Sequence, residues 1–126
     1  VKADGCHLGQ NDMDITDAKK ILKKKIIGIT CHNSLKLARI ASLKNADYIA
    51  IGAFFKSFTK IVNFKANIAT LKKIKKYIRI PIVAIGGINE KNYKNLLLNN
   101  ADFLAISGYI WNNKKLRPQQ AIKMFK

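Results

Sequence analysis

The run Ala84-Ile85-Gly86-Gly87-Ile88-Asn89 puts two adjacent glycines where an apolar strand ends and a helix is expected to begin. Glycines at such a point let the main chain come close to a ligand and turn its N–H groups outward. A helix N-terminus behind them adds partial positive charge, so a phosphate fits the position. One strand–helix step later, Ala105-Ile106-Ser107-Gly108 closes the next apolar run with a hydroxyl and a glycine. A lone Gly-Gly is often only a tight turn. Two such loops one step apart point to paired phosphate grips of the kind found after consecutive late strands of a barrel.

Three further segments carry candidate chemistry. Gly52 to Lys60 is a long loop after a strand, and within it Ser57, Thr59 and Lys60 offer two hydroxyls and an ammonium, enough for an anion clamp. A solvated loop in a lysine-rich protein would have the same residue types. His7-Leu8-Gly9-Gln10-Asn11-Asp12 also sits at a strand end. Asp12 can serve there as an oxygen ligand for a hard cation such as Mg2+, or as the N-cap of the following helix. In Gly28-Ile29-Thr30-Cys31-His32-Asn33 the Thr30 hydroxyl is expected to face the mouth, with Asn33 able to cap the next helix. A lone His32 is more often structural than catalytic.

These segments are positioned by an alternation of short apolar runs and amphipathic stretches. Strands are expected at Gly5–Leu8, Ile26–Thr30, Tyr48–Gly52, Ile82–Ile85 and Phe103–Ile106. They are continuous rather than alternating, as for parallel strands covered on both faces. Helices are expected at Thr16–Lys23, Ser34–Asn45, Asn67–Tyr77, Asn89–Asn99 and Pro118–Phe125. Leu35, Ala38, Ala41 and Ser42 share one face of the second, while Lys36, Arg39 and Lys44 face out. Pro118 suits a first helical turn. Ala-Asp recurs before three strands, at Ala3-Asp4, Ala46-Asp47 and Ala101-Asp102, so the repeating unit is one αβ step. The architecture is a parallel α/β sheet, closed into a barrel or open and doubly wound. The dinucleotide fingerprint and the P-loop of open folds are absent from the sequence.

The 126 residues suit one domain. No apolar run is long enough for a transmembrane helix and no signal peptide is visible, which makes the cytoplasm the default expectation. The chain opens on Val1, one step before a strand, as though its numbering began inside a larger gene product. The formal charge of +17 invites a nucleic-acid reading, but the lysines are spread over nearly every helix and arginine is scarce, so no specific nucleic-acid partner is expected. Abundant Lys, Ile and Asn fit a compositional drift, and the positive field favours anionic substrates. Cys6 and Cys31 are too few and too far apart for a zinc site or a disulfide framework.

Taken in order, the segments resemble thiamine-phosphate synthase over essentially the whole chain. The family's A-D-G-x-H-x-G-Q-x-D is matched from Ala3 to Asp12, and its G-x-S-x-H from Gly28 to His32, with Thr30 for Ser. Its A-D-Y-x-x-x-G and T-x-T-K are matched by Ala46–Gly52 and by Ser57-Phe58-Thr59-Lys60, with Ser57 for Thr. Pro81–Ile88 matches P-x-V-A-I-G-G-I, and Ile106-Ser107 matches the closing strand. A Pro and a Gly common after the T-x-T-K loop are missing from Ile61–Asn67.

The resemblance implies a (β/α)8 (TIM) barrel of which residues 1–126 form the C-terminal part of a single domain, supplying roughly strands four to eight. It implies a transferase that joins hydroxymethylpyrimidine pyrophosphate to thiazole phosphate, giving thiamine phosphate and pyrophosphate, with Mg2+ as cofactor. Asp12 would be a metal ligand. Thr30 and Lys60 would be catalytic and contact the pyrimidine pyrophosphate, and Ser57, Phe58, Thr59, Gly87, Ile106 and Ser107 would hold the thiazole phosphate, much of it through main-chain N–H groups. The family's upstream Gln-x-Arg-x-x-x-Lys grip and second carboxylate have no counterpart after Val1. A thiazole tautomerase, with His32 as acid–base, is the sister reading, and a non-catalytic barrel fragment is another. Ser57-x-Thr59-Lys60 favours the synthase, because a tautomerase expels no pyrophosphate.

Overall fold

In the computed structural model, residues 2–56 and 63–126 are described. The expected clamp residues Ser57, Phe58, Thr59 and Lys60 lie outside the described residues. The elements run β1 (Gly5–Leu8), α1 (Ile15–Leu22), β2 (Ile26–Thr30), α2 (Leu35–Leu43), β3 (Tyr48–Ile51), α3 (Ile68–Tyr77), β4 (Ile82–Ile85), α4 (Tyr93–Leu98), β5 (Phe103–Ala105), α5 (Gly108–Trp111) and α6 (Pro118–Ile122). All five strands are parallel and pair in chain order, β1-β2-β3-β4-β5. A doubly wound sheet reverses direction at a switch point. This one never does, so its winding is that of a β/α barrel, and among the described residues it is not closed.

The register assigns the two faces. Ile49 pairs with Ile82, Ile51 with Ala84, and Ala84 with Leu104. Ile27, Ile49, Ile51, Ile82 and Ala84 are fully buried on this face, packed in one core with Ala38 and Ala41 of α2, Leu71 and Ile74 of α3, and Leu96 of α4. The other face carries His7, Thr30, Tyr48, Val83, Ile85 and Phe103, and it is far more open: Ile26 is 53% and Phe103 59% exposed. The expectation of strands covered on both faces holds for one face only within the described residues. The apolar character of the other explains why the runs read as continuous.

The Ala-Asp repeat proves to be a joint. Asn45 and Asn100 adopt left-handed φ of 59° and 70° after α2 and α4. The next N–H groups, of Ala46 and Ala101, return to the carbonyls of Ala41 and Leu96 at 2.9 and 3.0 Å, the closure of a Schellman motif. Each following aspartate then accepts an N–H from the start of a neighbouring strand: Asp47 from Ile27, the second residue of β2, and Asp102 from Ile82, the first of β4, both at 2.8 Å. Lys19 and Lys75 pair with these carboxylates at 3.6 and 2.5 Å.

Local chemistry corrects three sequence expectations. Asp14, not Asp12, caps α1, accepting from Thr16 N–H at 2.8 Å. Ser34, not Asn33, caps α2, while Asn33 Nδ2 donates to the Lys65 carbonyl at 3.0 Å. The fourth helix starts at Tyr93 rather than Asn89. Before it, Asn92 Oδ1 accepts from Asn89 N–H and Asn89 Oδ1 from Lys91 N–H, both at 2.9 Å, and these side-chain bonds hold a turn instead of a helix.

Candidate active site

A cleft of about 1150 Å³ lies across the carboxyl ends of β2 to β5, lined by Thr30, His32, Gly87, Ile106, Ser107 and Lys114 among others. The strand-end rule for parallel α/β folds locates a site at this rim. Thr30, Gly87, Ile106 and Ser107, singled out from spacing, are thus brought together from three different strands.

At the end of β2, the Thr30 hydroxyl is 2.8 Å from His7 Nε2, and His7 Nδ1 is 2.9 Å from the Tyr48 hydroxyl. Burial holds the His7 pKa below its ordinary value, with Asp12 pulling weakly the other way, and burial pushes the Tyr48 phenol up. Histidine and phenol are therefore both neutral near pH 7. Gln10 Nε2 donates to the Thr30 carbonyl at 2.5 Å, tying the β1 loop to the same point. Neither Gln10 nor Tyr48 was separable from its motif by residue type; the signal is inter-strand register.

The Gly-Gly turn at the end of β4 carries φ of 94° at Gly86 and 65° at Gly87. A Cβ on Gly86 would lie 2.3 Å from Ala53 Cβ, and one on Gly87 would lie 2.5 Å from the Lys56 carbonyl oxygen. The missing side chains make room for the protein's own β3 loop, which is bound there by Phe54 N–H to Ile85 O and Phe55 N–H to Gly86 O, both 3.1 Å. This revises the expectation of a helix N-terminus directly behind the glycines, since the intervening turn runs to Asn92 and α4 has only six residues.

Just after β5 the Ile106 side chain packs against the core, and the residue also lines the cleft. Ser107 precedes α5, a short helix too brief to leave a periodic signal in the sequence. Its carbonyl accepts from Ile110 and Trp111 N–H at 2.9 Å each, while its hydroxyl makes no capping bond. His32 lines the cleft at a left-handed φ of 52°, stacked on Phe64 with ring centres 4.2 Å apart.

Asp12 stands on the β1 loop, where its Oδ2 accepts from Gly9 N–H at 2.6 Å. Among the described residues no group of three His, Cys, Asp or Glu side chains could hold a metal. Mg2+ commonly takes one or two carboxylates and keeps several waters. Asp12 fits as one such ligand, and the described residues do not complete a site around it. Among them, too, no helix is long and apolar enough to cross a membrane.

Sequential parallel winding, helices on one face and a cleft over the strand carboxyl ends define a protein of the β/α-barrel class. The model of the thiamine monophosphate synthase family matches residues 1–110, and the chain belongs to that family. It is 61% identical to the thiamine-phosphate synthase of Pelagibacter ubique over all 126 residues, which cover 61% of that protein. Identity to the Nitrosospira multiformis thiamine-phosphate synthase is 45% over 122 residues, 96% of this chain and 52% of that one. The chain therefore spans between half and two thirds of the length of these curated relatives. Among solved structures, a thiamine phosphate pyrophosphorylase from Pyrococcus furiosus superimposes with a TM-score of 0.84 at 33% identity, covering 98% of this chain and 57% of the other. A 3-hexulose-6-phosphate synthase matches with a TM-score of 0.70 at 14% identity, a likeness of fold alone.

Proposed function

We propose that residues 1–126 are the C-terminal part of a single (β/α)8-barrel domain acting as thiamine-phosphate synthase. The carbon–oxygen bond to pyrophosphate breaks first, and the pyrophosphate leaves with the bonding electron pair. The thiazole nitrogen then donates its lone pair to the pyrimidinylmethyl cation, forming the C–N bond of thiamine phosphate. The observation that carries this reading is the convergence of Thr30, Gly87, Ile106 and Ser107 on one strand-end cleft in a member of this family.

In this reading the Thr30 hydroxyl and the Lys60 ammonium donate hydrogen bonds to the departing pyrophosphate. The main chain at Gly87 and Ile106 and the Ser107 hydroxyl hold the thiazole phosphate, together with Ser57, Phe58 and Thr59. Bound Mg2+ would supply charge neutralisation at the pyrophosphate, with Asp12 as one ligand. The remaining task of the protein is orientation of two bound reactants. The single-domain proposal is supported by the open apolar face at Ile26 and Phe103, which further strands of a barrel would cover.

The test replaces the matching segment of the Pelagibacter relative with residues 1–126 and measures thiamine phosphate and pyrophosphate formation from the two substrates with Mg2+. Turnover comparable to the parent is expected. A folded graft that releases no pyrophosphate overturns the synthase reading. If such a graft isomerises the thiazole instead, the strained, cleft-facing His32 becomes the acid–base of a tautomerase.

A further inference from the structure

We propose that Tyr48 is a positioning residue that acts through His7 to present the Thr30 hydroxyl as a hydrogen-bond donor to the anionic substrate. The inference rests on the reading above in one respect only, namely that Thr30 meets the pyrophosphate. The arrangement spans three strands. His7 pairs in register with Gly28, and Gly28 with Tyr48, so all three lie in one row on the open face. Gly28 has no side chain, and the flanking pair reaches across it: His7 Nδ1 lies 2.9 Å from the Tyr48 hydroxyl, with ring centres 5.5 Å apart. A Cβ on Gly28 would fall 2.0 Å from the Tyr48 ring, which accounts for glycine in the middle of a strand. Thr30 is two residues nearer the mouth on the same face, 2.8 Å from His7 Nε2, and lines the cleft.

The direction of the two hydrogen bonds follows from acidity. A neutral imidazole has one N–H donor and one acceptor nitrogen, and the bond made by one fixes the role of the other. A phenol is a stronger acid than an aliphatic alcohol, so Tyr48 O–H donates to the basic Nδ1. The proton of His7 then sits on Nε2 and donates to Thr30 Oγ1. With an acceptor site of Thr30 filled, its own proton turns away from His7 and toward the cleft, where an anionic oxygen needs a donor. In the opposite arrangement Thr30 O–H would donate back to Nε2 and face the pyrophosphate with lone pairs.

The Tyr48→Phe variant removes the hydroxyl while leaving the ring over Gly28, so the packing survives. In the folded graft, histidine 15N–1H correlation spectra should show His7 as the Nε2–H tautomer, and a mixture of tautomers in Tyr48→Phe. The kcat/KM for the pyrimidine pyrophosphate should fall roughly five- to tenfold, the scale of one hydrogen bond, with KM for thiazole phosphate unchanged. On a Thr30→Val background Tyr48→Phe should cause no further loss. A purely structural Tyr48 predicts additive losses instead. An Nδ1–H tautomer, a tautomer unmoved by Tyr48→Phe, or additivity with Thr30→Val would each overturn the proposal. A graft without synthase activity fails the functional reading alone, because the tautomer is still read from the spectra.

Discussion

The two rims of the sheet are built from opposite materials. At the amino ends of the strands, carboxylates are consumed in joints: Asp47 and Asp102 accept strand N–H groups and pair with Lys19 and Lys75. At the carboxyl ends, glycines, hydroxyls and left-handed backbone predominate, at His32, Gly86 and Gly87. Asp14 and Asp17 sit at the start of α1, and among the described residues no aspartate or glutamate lines the cleft of this +17 chain. One rim is finished chemistry and serves stability. The other leaves the Ser107 hydroxyl without a capping bond and holds the Thr30 hydroxyl through His7 at the edge of the cleft, and that suits a substrate site.

Mutations should separate the rims. The largest effect is expected from Lys60→Ala in the active graft, with kcat/KM down by roughly a hundredfold or more through loss of charge at the departing pyrophosphate and with an unchanged urea midpoint. Normal turnover would remove Lys60 from the mechanism. Next, Gly87→Ala forces a side chain into a left-handed turn 2.5 Å from the Lys56 carbonyl. It should cost about 2–3 kcal/mol in urea unfolding, showing that this mouth glycine also serves packing.

At the opposite rim, Asp102→Ala should cost about 1–2 kcal/mol, discounted for its partial exposure, and leave kcat unaltered. Burial opposes ionisation of Asp102, but the Lys75 ammonium and the Ile82 N–H outweigh it, so its pKa is lowered on folding. Its stabilisation is therefore present above the ordinary aspartate range and is lost as pH falls through the depressed folded value. The urea midpoint should drop on acidification in the parent and drop less in Asp102→Ala. An equal acid response in both would dissociate Asp102 from the joint. The smallest change is a gain: Lys23 closes α1 at φ 52°, and Lys23→Gly should raise stability by about 0.5–1 kcal/mol in the same assay.

Much of this contrast was legible in the sequence, and the exceptions have physical causes. Strand positions were legible because one buried face and one apolar open face leave unbroken runs such as Ile26–Ile29. Caps slipped by one or two residues, to Asp14 and Ser34, since neighbouring polar residues offer the same acceptor and only the backbone angle chooses between them. The start of α4 was displaced by mutual capping of Asn89 and Asn92, a competition that periodicity does not register. Strand ends are recognisable in a sequence, and Thr30, Gly87, Ile106 and Ser107, placed there by their motifs, all line the one cleft. Tyr48 was missed because its partners lie 41 residues back and 20 residues back in the chain, a distance that only register closes.

The paired joints at Asn45-Ala46-Asp47 and Asn100-Ala101-Asp102 carry a consequence of their own. Each couples a helix end to the next strand and to its neighbour through main-chain groups and one carboxylate, with nothing borrowed from the far rim. Such a joint behaves as a standard fitting. Loops at the mouth can lengthen, shorten or be exchanged while the couplings underneath stay the same, so a new substrate specificity can be tried without rebuilding the frame that carries it.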